Sequence, residues 1–481
     1  TDVTGLAEDI SASRELLESV ATANAPVRSQ ISMGASPLDH YSAMADMICG
    51  FNPGAETSLN ESQKDLYRGL PQVASIRRWY QEVMDDNDLS FKRGKNSVLN
   101  EAVSADLPQL LGDSMYRTLR QRYETQSKDW MTIAEDVPVD NFKVRRNVLL
   151  GGLGILPKVV ESDVLDNYVR LGMLADEEIT YNVDTRGGLI VVSRQAIIND
   201  DLQGIRRAPV EAAEAANHTL NMTVFQAAIG AKVGAINTDT SYDGTVLYHA
   251  NHRNLGTTAL GYQSMIDSWT RILNQTRYGN VGTNTVAILI ADATITLSAA
   301  LYEALQVGDV FRIEAESILV TSKNGANVVG VTRGYAGTSA AAHLISLRAE
   351  QESTLIQPKV VTCMYPLELQ ATAQTLFNST FVPGSPNNDK SYVNGLAASG
   401  QIVPLSVNKM YLKYDLNNWF MFSDKPVQVG FLGGRRTPEL FLQDNPLVGG
   451  VFSGDRISWK VRHEYGVMSP DHRCIDGNIV A

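Results

Sequence analysis

The residues with most chemistry to offer lie in three short stretches. Asp239-x-Ser241-x-Asp243-Gly244 copies the first half of a calcium loop, in which oxygens at alternate positions and a glycine at the sharp turn wrap a hard cation. The twelfth position is Ala250, where a bidentate Glu would complete the shell, so calcium is not expected. His249 and His252 stand on either side of Ala250-Asn251, and a metal pair there would still need a third ligand. Solvated or hydrogen-bonded loop histidines are the simpler expectation. Asp471, His472 and Cys474 put an acid, a base and a thiol close together, yet nothing in their spacing defines a catalytic set.

Other motifs fail sooner. Gly152-Leu153-Gly154-Ile155-Leu156-Pro157 begins like a dinucleotide loop but has Pro at the third Gly position. There is no Gly-Lys-Ser/Thr phosphate loop and no Gly-x-Ser-x-Gly elbow. No catalytic, cofactor-binding or metal-binding residue is therefore assigned, and the expectation is a scaffold and not an enzyme.

Bulk properties describe an ordinary globular protein. The 481 residues carry 44% hydrophobic and 20% charged side chains, enough for more than one domain. A net charge of −12 argues against a general nucleic-acid-binding surface. Cys49, Cys363 and Cys474 are odd in number and far apart, so neither a disulfide framework nor a metal knuckle is expected, and a reducing compartment is favoured. The longest apolar run, Val286 to Ala291, is far shorter than the roughly 20 residues of a membrane helix. No signal-peptide pattern opens the chain.

The elements that would position these residues are organised around residues 189–233. Leu189-Ile190-Val191-Val192 reads as a strand, Asn199-Asp200-Asp201 as a turn, and Arg207 to Lys232 as one helix with Pro209 near its front. At 1.5 Å per residue its roughly 26 residues make a rod of about 39 Å. Ala213, Ala216, Leu220, Val224, Ala227 and Ala231 recur at threes and fours, while Glu211, Glu214, Asn217, His218 and Asn221 fall mostly elsewhere. The pattern fits a spine approached closely by other elements, and equally an ordinary core helix.

Before it, Leu6–Ala23 and Glu61–Asp86 read as helical, the latter broken at Pro71, with loops at Gln30–Pro37 and Phe51–Ser58. Residues 137–183 read as two long extended arms, charged on both faces and bent at Gly151–Gly154, which suits a projecting hairpin. After it come a helix over Tyr262–Leu273 and short strands at Phe311–Ile313, Ile318–Val320 and Val328–Val331, with an Asn324-Gly325 hairpin signal. Thr332 to Thr338 reads as the close of a small barrel. Val360–Met364, Trp419–Phe422 and Val427–Leu432 read as strands, and Pro366–Leu376 as a helix. Ile457, Trp459, Val461, His463 and Tyr465 alternate with polar residues as a half-buried strand should.

Ser193-Arg194-Gln195-Ala196-Ile197-Ile198-Asn199-Asp200-Asp201-Leu202 resembles a stretch of tailed-bacteriophage major capsid proteins, the Mu-like head subunits and the prohead-protease-fusion capsids. Ser104 to Leu111 resembles that family's Ser-Asp-Phe-Pro-like stretch, with Leu107 in place of Phe. The resemblance implies an α+β Hong Kong 97-like capsid fold. It divides the chain into an N-terminal arm (1–104), an arm-proximal helix (105–136), an extended β-hairpin loop (137–188), the spine helix and core (189–285), an inserted small β-barrel-like domain (286–352) and the remaining core (353–481). It implies a virion shell protein assembled in the host bacterial cytoplasm. Its partners would be itself, as pentamers and hexamers, with portal, scaffold, prohead protease and decoration proteins, and packaged DNA without sequence-specific binding. No membrane and no cofactor are implied. Some members of the fold weld subunits through a Lys–Asn bond; Lys143 and Lys158 lie in the right region, but no motif identifies a partner, and cross-linking is not expected. An encapsulin-like compartment shell is the alternative of the same fold, and a cytosolic hydrolase with an unrecognised site the alternative of another class.

Overall fold

Apolar residues spaced by four build the first helices of the computed structural model, which describes residues 37–56, 59–70, 107–150, 176–193, 202–387, 389–442 and 456–480. Helix α1 (Pro37–Cys49) buries Ala45, Ile48 and Cys49. Helix α2 (Glu61–Gly69) begins where the Asn60 N–H donates to Gln63 Oε1 at 2.9 Å, which satisfies one donor at the helix start. Helix α3 (Leu107–Thr125) carries Leu111, Met115, Leu119 and Tyr123 on one buried face. Buried Asp46 of α1 lies 2.5 Å from Arg117 of α3 and accepts from Tyr67 Oη of α2 at 2.6 Å. The segment from Pro37 to Leu70, part of the expected N-terminal arm, packs on the chain's own helices, where the buried carboxylate has its cation beside it. The expected helix at Leu6–Ala23, the loop from Gln30 to Ser36, the helix beyond Pro71, the Ser104–Asp106 stretch, the Gly151–Gly154 bend and the Arg194–Asp201 turn lie outside the described residues.

Next come β1 (Ala134–Val139), β2 (Arg145–Leu150), β3 (Asp176–Tyr181), β4 (Asp184–Ser193) and the 27-residue helix α4 (Leu202–Ala228). The helix is shifted toward the N-terminus from the Arg207–Lys232 expectation. Pro209 lies inside it, where it removes one backbone bond without ending the helix. Gly230, at φ 66°, ends it instead: the left-handed turn lets the Ala231 N–H reach the Gln226 carbonyl at 2.8 Å. Ala213, Leu220, Val224 and Ala227 are buried as expected. Asn217 and Asn221 are buried too, against expectation. They hold the preceding loop, Asn217 Nδ2 donating to the Ser127 carbonyl at 3.0 Å and the Trp130 N–H donating to Asn221 Oδ1 at 3.2 Å.

The chain continues through β5 (Leu255–Gly256), α5 (Tyr262–Leu273), β6 (Thr276–Thr283), β7 (Thr294–Thr296), α6 (Ala299–Ala304), β8 (Val310–Ile313), β9 (Glu316–Lys323), β10 (Val328–Tyr335) and β11 (Arg348–Leu355). It ends with β12 (Val361–Pro366), α7 (Gln370–Asn378), α8 (Tyr392–Ala398), β13 (Ile402–Val407), β14 (Trp419–Ser423), β15 (Val427–Leu432), β16 (Glu439–Leu442), β17 (Arg456–Met468) and β18 (Ile475–Asn478).

These strands form three large sheets and one ribbon. One sheet has the order β1-β15-β17-β16, with β4 on the opposite edge of β17; a second has the order β13-β12-β14-β18-β5. Strands β6-β11-β8-β9-β10-β7 make a separate six-stranded module, and among the described residues β2 pairs only with β3. The module therefore runs from Thr276 to Leu355, wider than the expected 286–352, because β6 pairs with β11 along their length. Its β9–β10 turn extends beyond Asn324-Gly325: Gly325, Ala326 and Asn327 all adopt positive φ. The 286–291 run is largely exposed, Ile288 being the buried exception.

The C-terminal half of α4 is buried between two sheets. Leu220, Val224 and Phe225 share one core with Val429, Phe431 and Tyr465 of the first sheet and with Phe420 and Phe422 of the second. On the far face of β14, Trp419 and Met421 pack with Met265, Trp269 and Ile272 of α5. The module has its own core, around Leu301, Phe311, Ile318 and Val329. Leu220→Ala should cost about 2–5 kcal/mol in denaturant unfolding, with the cavity it leaves adding to lost burial; an unchanged midpoint would show that α4 is not packed as described.

Candidate functional site

The three sequence stretches with chemical potential all meet in space, through Ser241 and Asp243 of the first, His252 of the second and His472 of the third. His252 and His472 stack with ring centroids 3.9 Å apart and planes at 11°. Asp243 Oδ2 lies 2.8 Å from His252 Nε2, and Ser241 Oγ lies 3.0 Å from His472 Nδ1. The calcium-like residues are engaged locally: Asp239 Oδ2 accepts from the Lys232 N–H at 2.8 Å and Asp243 Oδ1 from the Thr245 N–H at 3.1 Å. His249 points elsewhere, its Nδ1 accepting from the Asn251 N–H at 3.2 Å. Among the described residues no group of three or more His, Cys, Asp or Glu side chains is arranged to hold a metal.

The cluster looks superficially like a serine–histidine–acid set, but its geometry cannot run acyl transfer. Asp471 Oδ1 sits 3.8 Å from His472 Nδ1, the same nitrogen that Ser241 Oγ approaches. A working triad places nucleophile and acid on opposite nitrogens. His472 is also fully buried, and burial, with cationic neighbours, drives its pKa well below the ordinary histidine value. Burial pushes the Cys363 and Cys474 thiols up to about 12, far from a reactive thiolate.

Beside this stack runs a buried ionic chain that no motif in the sequence announces. Glu350 Oε2 accepts from Arg312 and from Arg473, each at 2.7 Å, and Glu350 Oε1 from Arg348 at 2.6 Å. Arg348 also reaches Glu177 of β3. Burial alone would raise the Glu350 pKa, but Arg312, Arg473 and Arg348 together hold it far below the carboxylate range. Strand β11 reads as plain polar sequence for this reason: Glu350 is buried to make the chain, while Gln351 is buried against Asn280 and Asp309.

Part of the exposed apolar surface lies on β4 and around β2. Leu189 is 70% and Val191 47% exposed on β4, and Phe142, Val144 and Val148 are exposed on and before β2. Gly187 lets β4 approach β17 closely, since a Cβ there would lie 2.2 Å from the Val461 carbonyl oxygen. Between β4 and α4 opens a groove of about 570 Å³, walled by Gly188, Ile190, Ala212 and Ala216 and floored by His463 and Tyr465.

His463 gives this face a pH signature. Its Nε2 lies 3.1 Å from the Arg436 carbonyl, and burial lowers its pKa to about 4. Between pH 6.5 and 4 the unfolded chain binds a proton that the folded chain refuses. Stability is thus full above 6.5 and falls by roughly 3 kcal/mol as the pH drops to 4. Denaturation midpoints of His463→Phe should decline less steeply over that window; an equal slope would show that His463 is not held neutral.

Comparison with known proteins gives the family. The family described as phage capsid protein matches residues 176–340 and 313–475, more than half of the chain. No curated protein matches. Among solved structures, a chain of Mycobacterium phage Bobi superposes with a TM-score of 0.41 at 10% identity, covering 74% of this chain and 91% of that one. The Cyanophage Pam1 capsid asymmetric unit gives 0.38 at 10%, covering 74% and 93%. A virus-like particle from Pyrococcus furiosus gives 0.34 at 8%, covering 76% and 98%. These superpositions are too loose to fix any detail of the arrangement. On the extent of the family match, the chain belongs to the phage capsid protein family.

Proposed function

We propose that copies of this structural shell protein join as pentamers and hexamers that close an icosahedral head around double-stranded DNA, and that the chain catalyses nothing. Family membership supports the shell role, and the outer face of β4 is the observation that carries self-association. Among the described residues β4 pairs only with β17, so its second edge is open, and Leu189 and Val191 stand exposed along it. An open apolar edge is a template for further pairing and aggregates unless something covers it. In a shell the cover is a neighbouring copy.

On this reading α4 is the spine of the subunit and the β2–β3 ribbon the start of the loop that overlaps a neighbour. The net charge of −12 suits a container that encloses DNA without gripping it. Assembly in the host bacterial cytoplasm is supported by three cysteines that form no disulfide. Portal, scaffold, prohead protease and decoration proteins are the further partners such a head requires. The encapsulin-like and hydrolase alternatives are not favoured, the latter because Ser241 and Asp471 crowd one nitrogen of a buried histidine.

Sizing of the purified chain tests this. The native chain should elute as megadalton particles, and Leu189→Asp/Val191→Asp as folded, far smaller species, since charge on an edge blocks pairing. A native chain of monomer size, or particles indifferent to both aspartates, would overturn the proposal.

A further inference from the structure

The inserted module stands out as a unit with its own core and no task, and its contacts with the β2–β3 ribbon supply one. We infer that the module is a brace that fixes the direction in which the ribbon leaves the body. Both ribbon strands touch it. Arg348 of β11 pairs with Glu177 of β3, and Tyr278 Oη of β6 donates to the Leu149 carbonyl of β2. These two module residues lie on its incoming and outgoing strands, β6 and β11, which pair with each other.

The brace is anchored at its other end. Arg348 and Arg473 meet on Glu350, tying the ribbon contact to the C-terminal turn before β18. The Arg473 guanidinium also lies 4.4 Å from the centre of the Tyr278 ring, joining the two contacts to each other. Arg253 of the body seats the module from a third side, 2.9 Å from Glu352 and 2.6 Å from Ser317 Oγ. The load path thus runs from ribbon through module to body.

Two physical arguments make this a brace and not an incidental contact. An isolated two-stranded ribbon is marginal in water and has no direction of its own. A buried chain of charges tolerates little displacement, because moving one member strands another without its partner. Among the described residues, a further polar contact of the ribbon with the body is weak by comparison, Asn147 Nδ2 to Met468 Sδ at 3.4 Å. Bracing is a property of one chain; only its consequence, that the ribbon is aimed before it meets a neighbour, rests on the assembly reading.

The test is hydrogen exchange of the full-length chain, read on unassembled subunits, so its result stands whichever way the particle reading falls. Glu177→Ala/Tyr278→Phe removes both ribbon contacts while leaving the module core and the Glu350 cluster intact. Amides of 145–150 and 176–181 should exchange faster by roughly tenfold or more, with α4 and β8–β10 unchanged. Arg146→Gln, which breaks the exposed pair between Arg146 and Glu178 within the ribbon, should leave those amides unaltered. Unchanged ribbon exchange in the folded double variant would overturn the brace, as would an equal acceleration in Arg146→Gln.

Discussion

The rest of the molecule depends on α4 being packed by two sheets at once. Leu220, Val224 and Phe225 meet side chains from β15 and β17 on one side and from β14 on the other, in a single core. Small residues make this approach feasible, with Ala213, Ala227 and Ala228 wholly buried along the helix. Because interiors are close-packed, shifting the helix would disturb both sheets together. The helix also fixes the segment before β1 through buried Asn217 and Asn221, and the α3 face through Ala213 beside Leu119 and Tyr123. Everything that projects, namely β4, the ribbon and the module, is referenced to that centre.

Charge inside this protein has a structural role. Glu350, Arg312, Arg348 and Arg473 are drawn from the module and the C-terminal turn, and Glu177 from the ribbon. Such networks are a poor source of net stability, since desolvation offsets most of the attraction, but they define geometry sharply. The stacked His252 and His472 lie beside the network, both buried. A shell subunit has use for rigid internal registers between parts that must meet neighbours correctly, and none for a buried base.

Local periodicity was the legible part of the sequence. Tyr262–Leu273 is a helix over the bounds its apolar stripe predicts, and the alternation from Trp459 to Tyr465 matches the buried face of β17. Long-range polar pairing was not legible. Nothing local says that Ser241 should meet His472, or that β11, with its Glu and Gln residues, is an inward-facing strand. Helix ends were misjudged at α4 because Pro209 was read as a start signal and because Gly230, not Lys232, turns the chain. The reading of residues 137–183 as a projecting hairpin gives no sign of the ribbon base, where Tyr181 and Val183 are buried. The absence of an assigned site came from spacing alone, whereas the burial of His472 is a property of the fold that no spacing announces.

That this fold is a shell subunit whose open β4 face is closed by a neighbour is tested most directly by an electron-microscopic reconstruction of the purified native material. The predicted result is a closed icosahedral shell in which Leu189 and Val191 are buried against an adjacent copy. Material without closed shells, or a shell in which both side chains face solvent, would contradict it.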